Sequence, residues 1–128
     1  DGIGNALFKQ IKLIAQGKKT LSSLGDGAQI RYYRQPGGYW TRTIRHIAAK
    51  HEMQPLGWSV DPRDWARPGT PTIVRRVKAQ IHSGAVILMH DGNGDPEPGG
   101  ASRSQSVAAL KQLIPWMIKH GYRFCFPT

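Results

Sequence analysis

Stretches with helical spacing alternate with short β-type runs along the whole chain, and this alternation limits the fold more than any other feature. Residues 7–24 carry Leu7, Phe8, Ile11, Leu13, Ile14, Leu21 and Leu24 at roughly helical spacing, across Gly17. A β-type run at Ile30, Tyr32 and Tyr33 stops at Pro36 and two glycines. Thr41 opens a second helix with Ile44, Ile47 and Ala48 on one face, and PLGWSV at 55–60 follows as a short strand. The third helix is the clearest: Thr70 as cap, Pro71 in the first turn, Ile73, Val74, Val77 and Ile81 on one face, Gly84 as the stop. Ala85–His90 reads as a buried strand. A last helix runs from Ser104 to Gly121 with a kink expected at Pro115, and YRFCF at 122–126 closes as a strand. The order α-β-α-β-α-β-α-β predicts an α/β fold in which βα units form a parallel sheet with crossover helices.

That architecture bears on one stretch in particular. AVILMHDGNG, residues 85–94, runs five apolar residues straight into His90 and Asp91. Packing and turn chemistry could account for both residues taken alone. In parallel α/β proteins, however, polar groups at the carboxyl ends of strands gather on one rim. Three strands here end that way: Arg34 after one, Asp61, Asp64 and Trp65 after another, His90 and Asp91 after the third. Arg34, Asp64 and His90 are therefore expected to converge around a cleft. A carboxylate beside an imidazole orients the ring and stabilises its charged form, which is an acid–base pair. An arginine can hold a second carboxylate ionised, and a tryptophan and a leucine can wall a small apolar group. These are parts of a hydrolytic site. No G-x-S-x-G elbow and no Cys–His pairing supports covalent acyl transfer.

Composition narrows the class. At 128 residues the chain is one domain's worth, and no apolar run approaches bilayer length. It begins at Asp1 without methionine and is expected to be a processed or excised piece. A net charge of +10 favours anionic partners: nucleic acid, acidic lipid or a cell-wall polymer. No nucleic-acid-binding motif supports the first. Cys125, the single cysteine, is expected to pack as a small hydrophobe. Asp91, Asn93 and Asp95 stand at positions one, three and five of a calcium loop. Pro96 replaces the turn glycine and Ser102 the closing glutamate, so this run reads as a loop flanking the rim.

RQPGG (Arg34, Pro36), DPRDW (Asp61, Asp64, Trp65) and LMH (Leu88, His90) resemble the third, fourth and fifth motifs of the NodB-like polysaccharide deacetylases, carbohydrate esterase family 4. The resemblance covers roughly residues 28–128, in the family's order. It implies an irregular (β/α) barrel of which residues 1–128 would form the C-terminal part. It also implies roles. His90 would be the general acid that protonates the leaving amine or alcohol, and Asp64 its partner. Arg34 would hold the family's base aspartate. Trp65 and Leu88 would line the acetyl-methyl pocket, beside Pro36, and the backbone N–H near Gly37 would stabilise the oxyanion.

The family's first motif, similar to T-F-D-D-G-P, and its His-x-x-x-His pair supply the base and the metal ligands, and this chain contains neither. Gly2–Asn5 resembles the stretch before that histidine pair, which would put Ala6 and Gln10 in the histidines' places. His46 and His51 are five apart, the wrong spacing for one helical face, and His82 and His120 read as helix-end surface residues. A divalent metal, zinc, is thus implied by the resemblance without ligands in this chain, and water activation of the family's kind needs it.

The implied function is metal-dependent hydrolysis of N- or O-acetyl groups on a glycan such as peptidoglycan, a chitin-like polymer or xylan, by a secreted or cell-envelope protein. The missing segment would act in trans, or the half-barrel would self-associate. Two alternatives stay open: a catalytically inactive relative that keeps a glycan- or cell-wall-binding groove, and a basic nucleic-acid-binding domain.

Overall fold

The computed structural model describes residues 2–25, 29–34, 40–92 and 102–127. The chain divides into two compact units, residues 1–57 and 58–128.

The first unit contains α1 (Gly2–Ser23), β1 (Tyr32–Tyr33), α2 (Arg42–Lys50) and β2 (Gln54–Pro55). Helix α1 passes through Gly17 without interruption. Among its described side chains only Ile14 is buried, while Ile11, Leu13 and Leu21 are exposed. α2 starts where the sequence places it. The Thr41 hydroxyl accepts the Ile44 N–H at 3.1 Å, satisfying one of the helix's orphan donors. Ile44, Ile47 and Ala48 form its buried face. The chain leaves α2 through Glu52 at φ 60°, and the Met53 N–H returns to the Ala48 carbonyl at 2.8 Å. That left-handed residue turns Met53 back into the core beside Ile14, Ile44, Ile47 and Ala48. β1 and β2 pair in parallel, Tyr32 opposite Gln54 and Tyr33 opposite Pro55. The Arg31 and Tyr33 carbonyls accept from the Gln54 and Leu56 N–H groups.

The described residues of the second unit form a 3₁₀ turn (Asp64–Ala66), α3 (Thr70–Gln80) and α4 (Ser104–Lys119). Ile73, Val74 and Val77 of α3 pack with Ala109, Leu113 and Met117 of α4 and with Val60. Ile73, Val77, Leu113 and Val60 are fully buried. Burial of each such side chain contributes about 1.5–3 kcal/mol, which makes this helix pair the unit's main source of cohesion. The Val60 and Ile87 backbones meet in one parallel bridge. Its hydrogen bonds run from Ser59 and Val60 N–H to the Val86 carbonyl and from Leu88 N–H to the Val60 carbonyl.

Several expectations are corrected. The parallel pairing and the helix–strand alternation are present, but among the described residues as one two-stranded pair and one isolated bridge rather than a four-stranded sheet. Short parallel strands with few neighbours gain few ladder bonds and little covered face. Ala85–His90 is accordingly half-buried, with Val86 exposed. Residues 122–127 form no strand, and Cys125 is exposed instead of packed, as are Phe124 and Phe126.

The helix signals were offset as well. Gly69, not Thr70, is the cap of α3, which ends at Gln80 before Gly84. Ser104 lies inside α4, and its N–H is accepted by the Ser102 hydroxyl. α4 continues through Pro115 and stops as expected at Gly121, φ 87°, where the Tyr122 N–H reaches back to the Met117 carbonyl.

Candidate functional site

The DPRDWARPG segment, residues 61–69, is held by a set of local bonds. The Asp61 carboxylate accepts the Arg63 N–H at 2.9 Å, an aspartate turn. Gln80 of α3 brackets Asp61: its amide oxygen accepts the Asp61 N–H, and its amide nitrogen donates to the Asp61 carbonyl. Arg76 donates to the Pro62 carbonyl at 3.1 Å. Arg63 and Arg67, on either side of the 3₁₀ turn, both sit at φ 52°. A left-handed conformation costs a non-glycine residue about 1–2 kcal/mol, so two in five residues mark a turn imposed by its surroundings.

The result of that turn is the burial of Asp64. Its side chain is fully buried and accepts three hydrogen bonds. Oδ1 faces His90 Nδ1 at 2.8 Å. Oδ2 accepts the His90 backbone N–H at 2.8 Å and the Ser106 hydroxyl at 2.7 Å. Burial by itself raises the carboxyl pKa. The hydrogen bonds from the Ser106 hydroxyl, the His90 ring and the His90 N–H, with the charge of His90, outweigh it, and Asp64 lies below the usual carboxylate range. An ionised carboxylate can only accept, so the proton of a neutral His90 ring belongs on Nδ1. Nε2 is then the nitrogen left to exchange a proton with a substrate, and the side chain is about one-third exposed.

Asp64 and His90 are thus brought together as the sequence indicates, across 26 residues. The other named residues stand as follows. Trp65, beside Asp64, is 47% exposed, with the Arg63 guanidinium 5.3 Å from its ring centre. Leu88 is half-buried two residues before His90. Arg34, one residue past β1 in the first unit, is exposed. Pro36, Gly37 and most of the 91–102 loop fall outside the described residues, and so do the side chains of Ala6 and Gln10. His82 and His120 are exposed helix-end residues, as expected. Asp61 builds the turn and is not part of the Asp64–His90 pair.

The first turn of α4 carries what the sequence reading missed. Arg103 donates to the Trp65 and Gly92 carbonyls. Gln105 accepts the Gly69 N–H at 2.7 Å. Ser106 reaches Asp64. A signal for Ser106 was available: it lies three residues before Ala109 on the stripe that continues to Leu113 and Met117. A polar group on an apolar face needs a buried partner.

Among the described residues, no three His, Cys, Asp or Glu side chains converge where a metal could be held. The residues described here do not fit the family's metal. Among the same residues, no helix is long and apolar enough to cross a membrane.

No protein-family model matches the chain. Curated proteins do. A chitooligosaccharide deacetylase from Bradyrhizobium sp. (strain ANU 289) is 44% identical over 108 residues, covering 81% of this chain and 49% of the relative. A peptidoglycan-N-acetylglucosamine deacetylase from Bacillus cereus is 43% identical over 94 residues, covering 72% of this chain and 41% of the relative. Among solved structures, a family 4 carbohydrate esterase from Streptomyces lividans superposes with a TM-score of 0.72 at 25% identity, over 90% of this chain and 54% of that one. The chain spans about half the length of the curated relatives it matches.

Proposed function

We propose, from the kinship of this chain to the NodB-like polysaccharide deacetylases of carbohydrate esterase family 4, that it supplies the acid side of a carbohydrate deacetylase. The reaction is hydrolysis of an acetyl amide or ester on a glycan, yielding acetate and a free amine or hydroxyl. The observation that carries this reading is the Asp64–His90 pair, a buried ionised carboxylate locked onto the ring of a partly exposed histidine.

In this reading His90 Nε2, once protonated, gives its proton to the departing nitrogen or oxygen as the tetrahedral intermediate collapses. Asp64 fixes the ring's orientation and balances its charge. Trp65 and Leu88 flank the acetyl methyl, next to Pro36, and the Gly37 N–H meets the oxyanion. Arg34 holds the base aspartate, which this chain does not contain. Residues 1–128 form the C-terminal part of the barrel, and the paired aspartates and histidines that hold a divalent metal come from another segment. The substrate is an acetylated polysaccharide, chitin-like or peptidoglycan by analogy with the relatives, or xylan. The excess of 18 Lys and Arg over 8 Asp and Glu suits an anionic cell-wall surface and a secreted or envelope location.

Acetate release from acetylated chito-oligosaccharides, peptidoglycan fragments and xylo-oligosaccharides tests the reading. The chain alone is expected to release none and to hold no zinc tightly. Adding a segment that carries T-F-D-D-G-P and His-x-x-x-His, fused or in trans, is expected to bring chelator-sensitive turnover. Chelator-sensitive turnover by the isolated monomeric chain would show that the metal site is misassigned. Its absence after complementation on all three substrates would remove the deacetylase reading.

A further inference from the structure

We propose that Ser106 is a positioning residue for this reaction: its hydroxyl fixes the plane of the Asp64 carboxylate and thereby the orientation of His90. The role rests on the acid–base reading of Asp64 and His90.

The geometry is specific. Ser106 is 3% exposed and sits in the first turn of α4, on the face that otherwise buries Ala109, Leu113 and Met117 against α3. It donates to Oδ2, the oxygen that also accepts the His90 backbone N–H, and leaves Oδ1 to the His90 ring. A carboxylate held only by the two His90 bonds can still rock about its own C–C bond. A third donor, from a different element 42 residues away, removes that freedom.

The serine is placed by the rest of the same turn. Gln105 accepts from Gly69 and receives the Thr70 hydroxyl at its own carbonyl, while Arg103 holds the Trp65 carbonyl. The segment that delivers Asp64 is therefore tied, at Trp65 and at Gly69–Thr70, to the turn that delivers Ser106, while α3 holds its N-terminal end through Gln80 and Arg76. An alanine on this stripe would pack as well as Ala109 does, so the hydroxyl is not there to fill space. It completes the solvation of a buried charge and sets its angle.

The test is heteronuclear NMR on the 128-residue chain, comparing Ser106→Ala and Ser106→Thr with the parent. At alkaline pH, where the ring is neutral, the parent His90 is expected to hold its proton on Nδ1. Ser106→Ala is expected to lose part of that tautomer bias and to move the Asp64 carboxyl titration up toward the ordinary carboxylate range. Ser106→Thr, which keeps the hydroxyl, is expected to restore both. Ser106→Cys keeps the volume with a much weaker donor and reads the same bond if the alanine variant does not fold. In the complemented enzyme, Ser106→Ala is expected to lower kcat about tenfold with KM unchanged, as loss of an outer hydrogen bond to a reacting group does. An unchanged tautomer and an unchanged Asp64 titration in both the alanine and cysteine variants would overturn the proposal. These signals do not depend on turnover, so they separate its failure from failure of the deacetylase reading.

Discussion

The two units are made of the same parts, helices packed beside a short parallel pairing, yet their interiors differ. In residues 1–57 every described buried side chain is apolar: Ile14, Ile44, Ile47, Ala48 and Met53. Residues 58–128 bury a larger apolar cluster and, with it, Asp64 and Ser106. A charge inside a protein is costly unless fully bonded, and Asp64 is supported by three donors and by a turn with two strained arginines. The larger cluster offsets that expense. The difference teaches which unit pays for a buried charge. The second unit holds a fully bonded carboxylate–histidine pair, and the first offers Arg34 on a surface position, with no buried polar side chain among its described residues.

The largest expected effect follows directly. In the complemented protein, His90→Gln should lower acetate release by about 10²–10⁴-fold, the usual worth of a positioned acid. Arg34→Ala should also lower it, while leaving the Asp64–His90 hydrogen bonds, read by NMR, as they are. If Arg34→Ala disturbed the His90 tautomer, the division of labour between the units would be wrong.

Stability should divide in the same way. Asp64→Ala strands the His90 N–H, the His90 ring and the Ser106 hydroxyl together. It should destabilise the protein by about 2–4 kcal/mol in urea unfolding, since each buried donor left unsatisfied costs about 1–3 kcal/mol. Ile44→Val in the first unit removes one methyl group from an apolar cluster and should cost about 0.5–1.5 kcal/mol. Equal effects at the two sites would mean that Asp64 is not the buried keystone that its bonds indicate.

The contrast also explains what could be read from the sequence. The Asp64–His90 pair was legible because His90 ends an apolar run and Asp64 lies just beyond another, in a chain that alternates helix and strand, and strand ends carry chemistry. The helices were legible from their apolar spacing, and Thr41 from its position before α2. Other features depend on tertiary contacts that no local pattern encodes. Which of Gly69, Thr70, Ser102 or Ser104 caps a helix is decided by Gln105 and Ser102 reaching particular N–H groups. YRFCF has the composition of a strand, but β propensity acts through neighbours, and no ladder partner meets it among the described residues. Ser106 was hidden behind a plausible cap two residues earlier.

Acid should distinguish the units next. Asp64 has a lowered pKa in the folded chain, so the unfolded chain takes up its proton first as pH falls. Its stabilising contribution is fully present above the unfolded carboxylate value of about 3.9 and is lost as pH falls toward and through the lower folded value. Urea unfolding of the parent and of Asp64→Asn, followed from neutral pH into this acid window, should converge as the parent loses its advantage. Parallel curves would show that Asp64 binds no fewer protons folded than unfolded.

The smallest effect concerns the caps. Thr41 accepts the Ile44 N–H in the first unit, so Thr41→Ala leaves one amide at the start of α2 without its partner. A loss of about 1 kcal/mol is expected, within the common range for an N-cap. Ser104, which looks equally good in the sequence, has its own N–H bonded to Ser102 and stands one position inside α4, where Arg103 is the cap residue and makes no side-chain cap bond. The Ser104 hydroxyl accepts only the Ser102 hydroxyl, in an exposed pair, so Ser104→Ala should change stability by no more than about 0.5 kcal/mol. Thermal melts of the two variants give the comparison. A loss at Ser104 as large as that at Thr41 would mean that the start of α4 depends on its own hydroxyl. The bonds of Gln105 and Ser106 to the Asp64 segment would then not be what anchors that turn.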